Sequence, residues 1–277
     1  MTLGYAGRLF AVRLPHRGDH ALDPAAARVV LTGVRQVAAA GSEAGVGELA
    51  VLLDPAGFPE FSDDVGEQVA LVLPLSSEDA DFQLASDHGF GAQLEAAGAT
   101  VAHVEVRWGP DHDPGAKKSQ AVELTRLAAW LHETGRVLLV ELAVPGLGGL
   151  AGEARSDELL KTVREIREVG VEADLWAVPG PLDDETAERL GELVRDAGRD
   201  DVGILVTDHD LRSGADAADP GVGSIAPGAV GFVLGPEIWS DALGRRRDGE
   251  VGDDAAATLV ADRLRQKIAT VGGSKGT

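Results

Sequence analysis

Eight short runs rich in valine and leucine recur along the chain, and longer amphipathic stretches separate most of them. The runs span 8–14, 48–53, 69–73, 100–107, 137–142, 173–178, 202–207 and 229–234. Each is bounded by Gly, Pro or Asp and is rich in Val and Leu, as buried parallel strands are. Parallel neighbours need crossover connections, so a series of this kind predicts helices between the strands and an α/β fold. Helical spacing is clear over 23–40, where Asp23-Pro24 reads as a cap followed by proline at the first helical position. It is also clear over 117–134, 156–169 and 183–197, which stop at Gly135, Gly170 and Gly198, and over 253–270.

The fourth run departs from the pattern of the others. Side chains alternate faces along a strand, so Val104 and Val106 point one way while His103, Glu105 and Arg107 point the other. In a barrel that second face is the interior, where charge is costly unless paired. One reading is a network that satisfies itself, with Glu105 between His103 and Arg107. The other is a site, since barrel chemistry sits at the C-terminal ends of the strands. Glu141 shares a face with Val137 and Leu139 and places a carboxylate near the end of the fifth run.

Further candidates lie in the connections. His16 and Arg17 follow the first run and suit an oxyanion or a proton relay, or simply a polar turn. Asp208-His209-Asp210 has the composition of a metal cluster but no second histidine at ligand spacing, so no metal is expected. The glycines of Gly146-Leu147-Gly148-Gly149 lack phosphate-loop spacing and read as a flexible loop. Lys117-Lys118 reads as a solvated pair.

Composition narrows the classes. The chain has no cysteine, which excludes disulfides, thiolate catalysis and Cys-ligated metals. Its net charge of −21 argues against nucleic acid or an anionic membrane as partner. No apolar run approaches the roughly 20 residues that span a bilayer, and residues 1–6 have no signal-peptide pattern. The expectation is a soluble cytoplasmic protein that needs no cofactor. Its partner is a small molecule, with a homo-oligomer left open.

The alternation alone also fits a doubly wound open sheet. An ordered series of segments decides between the two. It runs His16-Arg17-Gly18, Asp87-His88-Gly89-Phe90-Gly91-Ala92, Val106-Arg107-Trp108-Gly109-Pro110, then 127–133 (LAAWLHE) and Gly135-Arg136. Glu141-Leu142-Ala143-Val144-Pro145, Asp174-Leu175-Trp176, 198–203 (GRDDVG) and Gly231-Phe232-Val233-Leu234-Gly235 complete it. In this series the chain resembles class I aldolase barrels of the tagatose-bisphosphate aldolase type. It is similar above all to the aldolase-like domain fused to the sugar kinase of inositol catabolism, the 5-dehydro-2-deoxygluconokinase. The resemblance covers most of the chain and implies a single-domain (β/α)8 barrel over 1–271, ahead of a polar tail at 272–277.

It also implies which groups to look for. Such aldolases carry an imine-forming lysine on the sixth strand, a lysine on the fourth, a carboxylate on the fifth and an acid at the end of the first. The matching positions here are Ala177, His103, Glu141 and Pro15. The five lysines, Lys117, Lys118, Lys161, Lys267 and Lys275, all fall outside the strand runs. An imine needs a primary amine, so Schiff-base chemistry is not expected. Where the family binds phosphate through Gly-Arg after the eighth strand, this chain has Gly235-Pro236, and acids follow Thr207.

Three readings follow. One is an altered enzyme, a lyase or isomerase-type carbohydrate enzyme, with His103, Glu105 and Glu141 as acid–base groups and His16, Arg17, Arg107 and Gly235 holding a carbohydrate or oxo-acid. The second is a pseudoenzyme kept as a binding or assembly module. The third is a plain sugar-phosphate aldolase.

Overall fold

The computed structural model describes residues 4–15, 21–40, 47–54, 61, 65–76, 89–207 and 228–272. All eight predicted strands form: β1 (Leu9–Leu14), β2 (Glu48–Leu53), β3 (Ala70–Pro74), β4 (Val101–Arg107), β5 (Val137–Ala143), β6 (Leu175–Pro179), β7 (Gly203–Thr207) and β8 (Gly231–Leu234). They pair in chain order, all parallel, and β8 returns to β1, closing a barrel. The helices are α1 (Pro24–Ala40), α2 (Phe90–Ala97), α3 (Pro114–Glu133), α4 (Gly152–Glu168), α5 (Asp184–Arg195), α6 (Pro236–Arg247) and α7 (Asp253–Gly272). Residues 273–277 lie outside the described residues.

Helix starts follow the expected chemistry. Asp23, Asp113 and Asp183 each accept the backbone N–H three residues on, at 2.8, 2.9 and 2.7 Å. The cap at Asp113 and Pro114 at the first helical position start α3 one turn earlier than its apolar spacing suggests. Two helices have weak sequence signals. α2 is eight residues long without a side-chain cap, and α6 buries only Ile238, Trp239 and Ala242. The glycine-rich stretch after β5 is a 3-10 turn in which Leu147 is fully buried, so it is anchored rather than a free loop.

The register sets the interior levels. Following pairs from Arg13 through Leu52, Val72 and Val101 reaches Val137, four residues short of Glu141 on β5. Following Glu141 through Ala177, Leu205 and Gly231 reaches Leu9, four residues short of Arg13. The circuit therefore shifts by eight residues, the stagger of a (β/α)8 barrel, and inward side chains from alternate strands stack in fours. Ala11, Val72, Leu139 and Leu205 form one level, all buried. Leu52, His103, Ala177 and Val233 form the next. Arg13, Pro74, Glu141 and Thr207 lie above that, and Asp54, Glu105, Pro179 and Gly235 line the mouth.

The opposite end is closed by the N-terminal segment. Gly4 N–H donates to Asp174 at 2.8 Å, and Asp174 also accepts from Leu138 N–H at 2.8 Å and pairs with His132 at 2.9 Å. Tyr5 packs under the interior cluster and its hydroxyl donates to Glu48. Burial first, then that hydrogen bond and the Glu48 charge, push the phenol above its ordinary pKa.

Two substitutions test this frame by chemical denaturation. Asp174→Ala removes the acceptor of two backbone N–H groups, and a loss of about 1–3 kcal/mol is expected. At Gly33 in α1, an added Cβ would lie 2.7 Å from the Ala257 carbonyl oxygen and 2.8 Å from Val260 on α7. Gly33→Ala gains about 1 kcal/mol of helix propensity but overpacks this contact at about 1–3 kcal/mol, so net destabilisation is expected.

Candidate functional site

Glu141 is fully buried in the barrel lumen, and three strands supply its partners. Arg13 on β1 approaches both carboxylate oxygens with Nη2 at 2.5 Å. His103 on β4 places Nε2 2.7 Å from Oε2, and Thr207 on β7 donates its hydroxyl to Oε1 at 3.0 Å. β1 and β5 stand on opposite walls of an eight-stranded barrel, so the Arg13–Glu141 bridge crosses the lumen. The Trp239 indole N–H donates to the Arg13 carbonyl at 3.1 Å and ties α6 to the same strand.

Burying a carboxylate is tolerable only when opposite charge and donors replace its water. Arg13 supplies the charge, being protonated at any ordinary pH. Thr207 supplies a neutral donor. Glu141 is therefore ionised and acts only as an acceptor here. His103 is 3% exposed, and its Nδ1 is buried with no hydrogen-bond partner among the described residues.

The sequence expectations meet this geometry unevenly. His103 and Glu141 are brought together. Glu105 points inward as the alternation requires and is half-buried, but His103 pairs with Glu141 instead. Residues two apart on one strand stand about 6.6 Å apart, whereas the neighbouring strand brings Glu141 within hydrogen-bond reach. Arg107 sits at the exposed end of β4, and among the described residues it has no hydrogen bond or ion pair. Gly235 precedes α6 as its N-cap. His16 and Arg17 lie outside the described residues, as do residues 208–210. Ala177 is buried in the lumen beside Glu141 in register, and the four described lysines lie on α3, α4 and α7.

Arg13 and Thr207 were missed as site residues. The signal was present in β1, because Leu9, Ala11 and Arg13 share one face just as His103 and Glu105 do. Among the described residues no group of three or more His, Asp or Glu side chains could hold a metal ion. A groove of about 920 Å³ lies outside the barrel between α3 and α4. There Lys117 is not simply solvated: its ammonium is 2.9 Å from Glu165 and 5.2 Å from the Trp108 ring centre. Burial raises the Glu165 pKa, but hydrogen bonds from Trp108 and Lys117 outweigh it and hold the group below its usual value.

Residues 28–272 match the family DUF2090, described as an uncharacterized protein conserved in bacteria. The chain belongs to this family. Among solved structures it is similar to a Schiff-base-forming fructose-1,6-bisphosphate aldolase. The identity is 16%, the TM-score 0.57, and the match covers 93% of this chain and 94% of the other. It is also similar to Cgl0159 from Corynebacterium glutamicum, at 16% identity and TM-score 0.56, covering 96% and 88%. A fructose-bisphosphate aldolase from Slackia heliotrinireducens matches at 14% and 0.55, covering 93% and 86%. No curated protein matches. At such identities the likeness establishes an aldolase-like barrel and nothing finer.

The network predicts an order of sensitivities in thermal unfolding. Glu141→Ala leaves Arg13 buried without its carboxylate, and a loss of about 3–5 kcal/mol is expected. Thr207→Val removes one donor to the carboxylate and should cost less, about 1.5–3 kcal/mol.

Proposed function

We propose that this barrel keeps a small-molecule site at its C-terminal mouth and works there by acid–base chemistry without a lysine imine. The ligand class is a carbohydrate or oxo-acid. The observation that carries this reading is the Arg13–Glu141–His103–Thr207 network, the charged level of an otherwise apolar lumen. The carboxylate, and the imidazole one level below it, face the lumen on the side toward the C-terminal mouth, the end at which barrel enzymes place reacting groups. Ala177 beside Glu141 supports a chemistry other than imine formation, since an alanine offers no amine. Glu105 at the same mouth is assigned to the acid–base groups, and Arg107 and Gly235, together with His16 and Arg17, to holding the ligand.

A second reading has its own support. Among the described residues Arg13, His103 and Thr207 engage Glu141, and a charge so well matched serves equally in a barrel kept as a binding or assembly module.

Two measurements separate the readings. Borohydride reduction with a ketose phosphate, followed by mass spectrometry, should trap no adduct; a trapped lysine adduct restores the plain aldolase. A thermal-shift screen of sugars, sugar phosphates and oxo-acids should give a hit, because a ligand at 100 times its Kd adds about 2.7 kcal/mol to the native state. With a hit in hand, His103→Ala should abolish turnover. A folded protein that no compound stabilises favours the assembly module.

A further inference from the structure

We infer that Nδ1 of His103 is the atom that takes a proton from the ligand, and that Glu141 orients the imidazole and carries no proton itself. This rests on the mouth-site reading above and names the working atom within it. Glu141 accepts from Arg13 and Thr207, and a carboxylate paired with a guanidinium offers His103 an acceptor and no proton. An acceptor 2.7 Å from Nε2 requires that nitrogen to carry the hydrogen. Neutral His103 is then the Nε2–H tautomer, and its basic lone pair is on Nδ1. That is the buried atom without a partner among the described residues.

A buried acceptor left unmatched costs stability, and a ligand group that donates to it recovers that cost. The level that holds His103 otherwise contains Leu52, Ala177 and Val233, which offer no donor. The level beneath is closed by Ala11, Val72, Leu139 and Leu205, all fully buried. A donor therefore reaches Nδ1 from the mouth, past the level of the Arg13–Glu141 bridge. The ligand group that fits is a hydroxyl, or the hydroxyl of a hydrated carbonyl. In the step, the O–H bond breaks, its proton bonds to the Nδ1 lone pair, and its electron pair stays on the ligand oxygen. The resulting imidazolium donates from Nε2 to Glu141, whose negative charge stabilises it. Arg13 and Thr207 are positioning residues: they keep Glu141 ionised and aimed.

The test is the tautomer, read by nitrogen NMR on the full chain with labelled histidine at neutral pH. The seven histidines are separated by the loss of one signal in His103→Gln. His103 should show hydrogen on Nε2 and a bare Nδ1. In Glu141→Gln the side-chain amide can donate, so the tautomer should reverse to Nδ1–H; the reversal also identifies the signal should His103→Gln not fold. A bare Nε2 in the native chain, an imidazolium with both nitrogens protonated, or no change in Glu141→Gln each overturns the assignment. These outcomes need no ligand, so they stand apart from the metabolite screen. The expected tautomer with no ligand found counts against the mouth site, and a ligand found with the wrong tautomer counts against Nδ1.

Discussion

A carboxylate with no exposure to water sits in the middle of this barrel, and its pairing constrains much of what surrounds it. Glu141 cannot be ionised there without Arg13, and Arg13 reaches it only because β1 lies across the lumen from β5. Thr207 and His103 approach from two further strands. Four of the eight strands are thus held in register by one group, and a slip of any by one residue would turn its contact outward. The pair is no simple gain in stability, because desolvating both ions offsets most of their attraction. What it contributes is a defined polar level in a lumen otherwise filled with Leu, Val and Ala.

The two ends of the barrel divide the labour. At the floor, Asp174 collects two backbone N–H groups and His132, and Tyr5 plugs the base. These contacts join β5 and β6 to the N-terminal segment and serve the frame. At the mouth the inward groups are Asp54, Glu105 and Gly235, with Arg107 at the rim. Conserving free energy at one end and presenting polar groups at the other is the usual arrangement for parallel barrels, since every strand ends on the same side.

Likeness to aldolases of known structure fits this division. The backbone matches over nine-tenths of the chain at about one identical residue in six. Such a match speaks for the fold, and a shared fold leaves the lumen side chains free to differ.

The sequence by itself determined the eight strands, their parallel sense, most of the helices and the alternation of side chains along β4. All of these follow from local period and caps, which need no knowledge of distant partners. It also put His103, Glu105 and Arg107 on one face of β4 and Glu141 in the second half of β5. It did not find α2 or α6, whose short apolar faces leave weak periodicity, and one of its two readings of β4 paired His103 with Glu105 on its own strand. Only the tertiary structure decided that His103 meets Glu141, that Arg13 crosses the lumen to join them, and that Thr207 completes the set. The reason is the stagger of the closed sheet. Residues 13, 103, 141 and 207 are brought to adjoining levels by a shift accumulated around eight strands, and no local pattern in the chain records where that shift closes.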